Sequence, residues 1–142
     1  MSAKRILVSS ESDFESTIGY SRAVRIGPHI AVAGTTGSAP GANDGDIGAR
    51  TREALRRIEA ALDQAGAMLR DVVRTRIYVT DISRWREVAA VHSEVFGDIR
   101  PAATMVEVAA LISPEVLVEI EADAYSEANS ATGGNEPSAP GR

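Results

Sequence analysis

The chain has 142 residues, 44% of them hydrophobic and 25% charged, which fits one compact globular domain rather than a disordered, collagen-like or membrane chain. No apolar run approaches the roughly 20 residues needed to cross a bilayer, Met1 to Ser12 lacks the apolar core of a secretory signal, and cysteine is absent. A cytoplasmic protein without thiol chemistry is therefore expected, and a net charge of −5, with 15 basic residues scattered among 20 acidic ones, leaves no footprint for nucleic acid or membrane as partner.

In chain order, Arg22 to Ile26 and His29 to Ala33 are β-rich runs separated by Gly27-Pro28, so they predict a hairpin. Gly37 to Gly45 is glycine-rich and predicts a mobile loop. Ile47, Thr51, Ala54, Leu55, Ile58, Ala61, Leu62 and Ala65 then recur at helical spacing opposite Arg50, Glu53, Arg56, Arg57 and Glu59. Asp44 or Asp46 suits the start of that helix and Gly66 its end.

Asp71 to Val79 alternates, placing Val73, Thr75, Ile77 and Val79 on one face and Arg74, Arg76 and Tyr78 on the other. Trp85, Val88, Ala89, His92, Val95 and Phe96 mark a second helix, with Ser83 as its cap and Gly97 as its stop. Ala103 to Ala109 and Val116 to Ala124 predict two closing strands, the last with Glu119, Glu121 and Asp123 opposite Val118, Ile120 and Ala122. Residues 1–127 thus read as a single domain, and 128–142, rich in Ala, Ser, Gly, Pro and Asn, as a flexible tail.

Strands with one buried face and two helices with one apolar stripe each make a two-layer α+β sandwich, a mixed sheet with both helices on one side. Its open face, where small, apolar and charged residues mingle, suits an oligomer interface.

Three stretches carry a resemblance: Gly19-Tyr20 followed by Ala33-Gly34-Thr35; DVVRTRIYVTDI from Asp71 to Ile82; and PAATMVEVAAL with VEIEADA towards the C-terminus. From Gly19 to Ala124 the chain resembles the reactive intermediate deaminase (Rid, or YjgF/YER057c/UK114) family. The resemblance implies a homotrimer with a small-molecule cleft at each subunit boundary and no metal or organic cofactor. It also implies hydrolysis of reactive enamines and imines, such as 2-aminoacrylate, to 2-oxo acids and ammonia.

Residue by residue, Glu119 matches the glutamate that holds or activates water in that family, although the pattern alone better suits a polar strand face paired with Arg74 and Arg76. Tyr20 matches an aromatic at the cleft mouth, and Gly34 a backbone position beside the ligand. Ala33 replaces a hydroxyl residue common in active members. Ala103 stands where the family's arginine grips the substrate carboxylate through two N–H bonds, a contact alanine cannot make.

Without that arginine, three readings stay open. The ligand lacks a carboxylate; or Arg100, Arg76 or Arg22 supplies the charge; or binding persists without catalysis. Thr35, Thr36 and Thr104 offer hydroxyls to a neutral ligand. His29 is expected to be solvated, and His92 to be a hydrogen-bonded packing residue. The function expected first is a hydrolase or deaminase acting on a small imine or enamine other than 2-aminoacrylate. The rival is a non-catalytic trimer that binds a metabolite, and a ribonuclease ranks third.

Overall fold

The computed structural model describes residues 4–37 and 46–127. The tail from Ala128 and nearly all of the glycine-rich 37–45 stretch lie outside these. The elements are β1 (Arg5–Val8), a π-helical turn (Glu15–Gly19), β2 (Ala23–Ile26), β3 (His29–Thr36), α1 (Ile47–Gln64), β4 (Val72–Val79), α2 (Trp85–Phe96), β5 (Ala102–Glu107) and β6 (Val118–Tyr125). Six strands form one sheet in the order β1-β2-β3-β6-β4-β5, in which β4 and β5 run parallel and every other pair antiparallel.

Both helices cover the same face of the sheet. Ala54, Leu55, Ile58 and Leu62 of α1 and Val88, Val91 and Phe96 of α2 share one core with Ile77 and Val79 of β4 and Val118, Ile120 and Ala122 of β6. Each such large aliphatic side chain contributes about 1.5–3 kcal/mol of burial. Thr75, on the helix-facing side of β4, lies 3.0 Å from Nε2 of His92, whose ring also tilts against Phe96. His92 is thus the packing histidine expected, and burial lowers its pKa. His29 is exposed and meets the Tyr125 ring edge-on.

Asp46 caps α1 by accepting from the Ala49 amide; Asp44, the other residue expected there, lies outside the described residues. At the other end of α1, Arg25 is buried and donates to the carbonyls of Gly27, Ala65, Gly66 and Ser126. A guanidinium set against the negative end of a helix satisfies carbonyls that the helix leaves free. It joins β2, the end of α1 and the residue after β6.

Three local expectations need correction, and one strand was not expected. Val73 is 52% exposed rather than core-facing, because the β4–β6 register slips between Val72 and Arg74 and turns Val72 inward instead. Ser83 does not cap α2: Asp81 caps a 3₁₀ turn at Ile82–Arg84 by accepting from Ser83, and α2 continues from that turn with no side-chain cap. Trp85 lies on the surface, with the Arg86 guanidinium 4.5 Å from its ring centroid. Finally, Arg5–Val8 is a strand, drawn to the sheet edge by pairing with β2 (Arg5 opposite Ile26, Val8 opposite Ala23).

Candidate active site

Only Ala23 to Ile26 of β2 pair with β3, so β3 runs on past its neighbour through Ala33, Gly34, Thr35 and Thr36. The Ala33 amide still donates to the Arg22 carbonyl at 3.0 Å, and the β3–β6 register breaks between Val32 and Thr35. Beside this irregular end opens a cleft of about 930 Å³. Its walls come from the Ser9–Tyr20 segment, the outer turns of α1 through Arg56 and Arg57, and the Ile112–Val116 loop.

Glu119 enters the cleft from β6, where it stands opposite Thr36 on β3 and Tyr78 on β4. Its neighbours on the same strand face are engaged elsewhere. Arg76 meets Asp123 at 3.1 Å and Glu121 at 3.5 Å, and the Tyr78 hydroxyl donates to Glu121 at 2.9 Å. Glu119 takes part in none of these pairs, so the paired polar face accounts for Glu121 and Asp123 but not for it. Burial raises the Glu119 pKa; Arg22 opposes the shift and Glu121 adds to it.

Gly34 makes room for that carboxylate. A Cβ at residue 34 would stand 2.9 Å from Cδ of Glu119 and overlap Oε2. The glycine is therefore a window through the end of β3, and Ala33, also at the cleft wall, adds no polar atom.

Arg22 completes this corner. One terminal nitrogen donates to the Gly34 carbonyl at 2.9 Å and the other to Thr35 Oγ1 at 3.1 Å. Its guanidinium carbon lies 5.6 Å from the centroid of the Tyr20 ring. Thr35 is buried, with its hydroxyl donating to the Ala33 carbonyl at 2.7 Å, so it braces Arg22 and does not face the cleft; Thr36 does.

Glu15 is a site feature that sequence reasoning missed. It is buried beside the cleft and accepts from the Ser9 hydroxyl at 3.0 Å, from the Ser10 amide at 3.1 Å and from the Ser10 hydroxyl. Burial pushes its pKa up, but those bonds and the Arg22 charge bring it below the ordinary value. The serines before an acid in SSESDFES were the available signal, but they have no regular period. Arg56 and Arg57, read only as the polar side of α1, also line the cleft and both bond Glu53.

The remaining expected site residues lie apart. Ala103 and Thr104 are exposed on edge strand β5, opposite Thr75 and Arg76, with β4 between them and Glu119. Arg100 is exposed before that strand, in the left-handed region at φ 58°. Within one chain the structure therefore gathers Tyr20, Ala33, Gly34 and Glu119 around one cleft, with Arg22, and leaves Arg100, Ala103 and Thr104 outside it. Among the described residues, no group of three or more His, Asp or Glu is placed to hold a metal ion, and no helix is long and apolar enough to cross a membrane.

Comparison with known proteins places this geometry among relatives. Residues 10–126 match the family model described as Endoribonuclease L-PSP. The crystal structure of Rv2704 from Mycobacterium tuberculosis, a member of the YjgF/YER057c/UK114 family, is 70% identical with a TM-score of 0.81, covering 86% of this chain and 99% of that one. A RutC family protein of Pyrococcus abyssi is 40% identical over 111 residues, 76% of this chain and 87% of its own. The 3-aminoacrylate deaminase RutC of Acinetobacter baylyi is 36% identical over 81 residues, 57% of this chain and 64% of its own.

Proposed function

Because the chain belongs to the Endoribonuclease L-PSP family, also known as YjgF or Rid, we propose that it hydrolyses a small imine or enamine in the cleft beside Glu119. The carrying observation is the Glu119 carboxylate itself: half-buried, free of the strand's ion pairs, raised in pKa and admitted to the cleft by Gly34. A raised pKa makes such a carboxylate a stronger acceptor for the proton of an attacking water.

An enamine first takes a proton from solvent at carbon and becomes an iminium ion. Water then adds to the C=N carbon while Glu119 accepts its proton, and the C–O bond forms. Glu119 returns that proton to nitrogen, and as the C–N bond breaks the new hydroxyl gives its proton to the Glu119 carboxylate, so that ammonia leaves and a carbonyl product remains. Tyr20 shapes the mouth of the cleft over the reacting atoms.

The deaminase named among the relatives acts on 3-aminoacrylate, which supports an enamine as the substrate class. We infer further that three chains assemble through the open sheet face and the exposed β5 edge, so that a neighbour's Arg100, Ala103 and Thr104 close the cleft that one chain leaves open. Alanine at position 103 also favours a second reading, a trimer that binds a small metabolite without turning it over. The ribonuclease in the family's description finds little support, since His29 and His92 both lie away from the cleft and the chain carries a net charge of −5.

The test is hydrolysis of several enamines and imines, with and without a carboxylate, generated in situ and followed against buffer. Turnover of any of them above buffer supports the enzyme. Binding of the carbonyl product without turnover of any of them supports the metabolite binder.

A further inference from the structure

Residues Ser9 to Ser21 form a closed loop, pinned at its neck where the Arg22 amide donates to the Val8 carbonyl at 2.8 Å. Glu15 is buried inside it and holds the Ser9 and Ser10 hydroxyls, while Ser12 Oγ accepts from the Phe14 amide at 3.2 Å. The three serines at the cleft wall are thus already bonded within the loop. What the loop presents to the cleft is Phe14 and Ile18, four residues apart on one helical turn and so on one side of it, 50% and 60% exposed.

Two other elements face the same space. Ala60 and Ala61 of α1 stand at the wall with side chains too short to fill it, and Ile112, 57% exposed, and Val116 come from the loop before β6. A single exposed apolar side chain needs no explanation, but a phenylalanine and two isoleucines half open to water around one concavity do. The wall also extends well past the reacting corner. Arg57 donates to the carbonyl of Thr36, the residue opposite Glu119, at 2.8 Å, and from there α1 lines the cleft as far as Gln64, about 10 Å further at 1.5 Å per residue. A volume of about 930 Å³ lies near the top of the roughly 300–1,000 Å³ typical of sites for drug-sized ligands, and a three-carbon enamine fills only a small part of it.

We propose that Phe14, Ile18 and Ile112 form an apolar subsite for the substituent of the substrate. The cleft then selects an imine or enamine bearing a group the size of a leucine or phenylalanine side chain over the three-carbon compounds. The inference rests on the reading of this cleft as the site of hydrolysis and deepens it by naming the part of the substrate on which selection acts. Each methylene buried against these side chains leaves water and contributes about a fourfold gain in affinity.

Equilibrium binding of carbonyl products tests this without requiring turnover. The probes are two homologous series titrated by calorimetry, the 2-oxo acids from pyruvate to 2-oxohexanoate and the methyl ketones from acetone to 2-hexanone. Two head groups make the test independent of whether the ligand is an acid. In a series that binds, wild-type affinity is expected to rise about three- to fourfold per methylene, so that the longest member binds roughly 30- to 60-fold more tightly than the shortest. Phe14→Asn and Ile18→Asn, which replace the apolar wall, are each expected to cut that ratio to about a third or less. Ala60→Phe, which fills the space instead, is expected to lower it as well.

A wild-type ratio near one, or binding by neither series, would overturn the proposal, as would a ratio unchanged in every folded variant. Phe14, Ile18 and Ala60 are all exposed, so the fold is expected to survive, and melting is measured on each variant. The wild-type ratio decides if none of them folds. Because the ratio compares two probes on one protein, a substitution that weakens all probes equally leaves it unchanged and counts against the subsite. A protein with the expected ratio that hydrolyses no enamine keeps the subsite and loses the catalytic reading. One that hydrolyses enamines at rates indifferent to the substituent does the reverse.

Discussion

The Glu119 carboxylate occupies the space that a side chain on Gly34 would fill, with a Cβ there 2.9 Å from Cδ of Glu119. Gly34→Ala is therefore expected to expel the carboxylate or distort the end of β3, at a cost of about 1–3 kcal/mol. In a Glu119→Ala background the space is free, and the same substitution is expected to cost much less. Chemical denaturation of the four proteins in this double-mutant cycle measures the coupling; additive effects would mean that the two residues do not share this space.

Arg25 serves four backbone carbonyls from within the core. Arg25→Met fills the volume but leaves those acceptors without a donor, each at about 1–3 kcal/mol when water cannot replace it. A loss of at least about 3 kcal/mol is expected, seen as a fall of roughly 10 °C in Tm. A change under 2 °C would mean that water reaches the end of α1.

His92 has its pKa lowered by burial from the ordinary 6.5. The unfolded chain then binds a proton in a range where the folded one does not, so stability is complete above pH 6.5 and falls as pH drops through the folded pKa. His92→Gln keeps a hydrogen-bonding group near Thr75 and cannot titrate. Denaturation midpoints measured from pH 7.5 down to about pH 5 should show a weaker decline in the variant than in wild type; parallel curves would remove His92 as the source.

Much of this was legible in the sequence. Helical spacing placed α1 and α2, alternation placed β4 and β6, and the same alternation put Glu119 on the face away from Val118 and Ile120. What escaped depended on partners distant in the chain. Arg5–Val8 is a strand because β2 offers it an edge, and Val73 turns outward because β6 forces a bulge. Arg25 reads locally as a surface arginine between apolar neighbours, and only folding brings Ala65, 40 residues away, to its guanidinium. Arg22 was one of three arginines open as a source of charge, and its place at the cleft wall rests on where β3 outruns β2, which no local pattern encodes. For Arg100, Ala103 and Thr104, a single chain leaves them across β4 from Glu119, so their role turns on assembly.

That assembly gives its own expectation. Light scattering at micromolar concentration should report three times the 15.0 kDa chain mass, and a charged substitution on the exposed β5 edge, Val106→Asp, should lower it. A monomer at those concentrations would leave the open cleft of one chain as the whole site.

The pH dependence of enamine hydrolysis by wild type and Glu119→Gln tests the central claim most directly. Wild-type kcat/KM should rise with pH through a single midpoint above the ordinary carboxylate value of 4.5, because burial holds the Glu119 proton. The Glu119→Gln protein should be slower by about 10²- to 10⁴-fold and lack that midpoint. A variant as fast as wild type, with the same profile, would contradict the assignment of Glu119 as the group that handles the water.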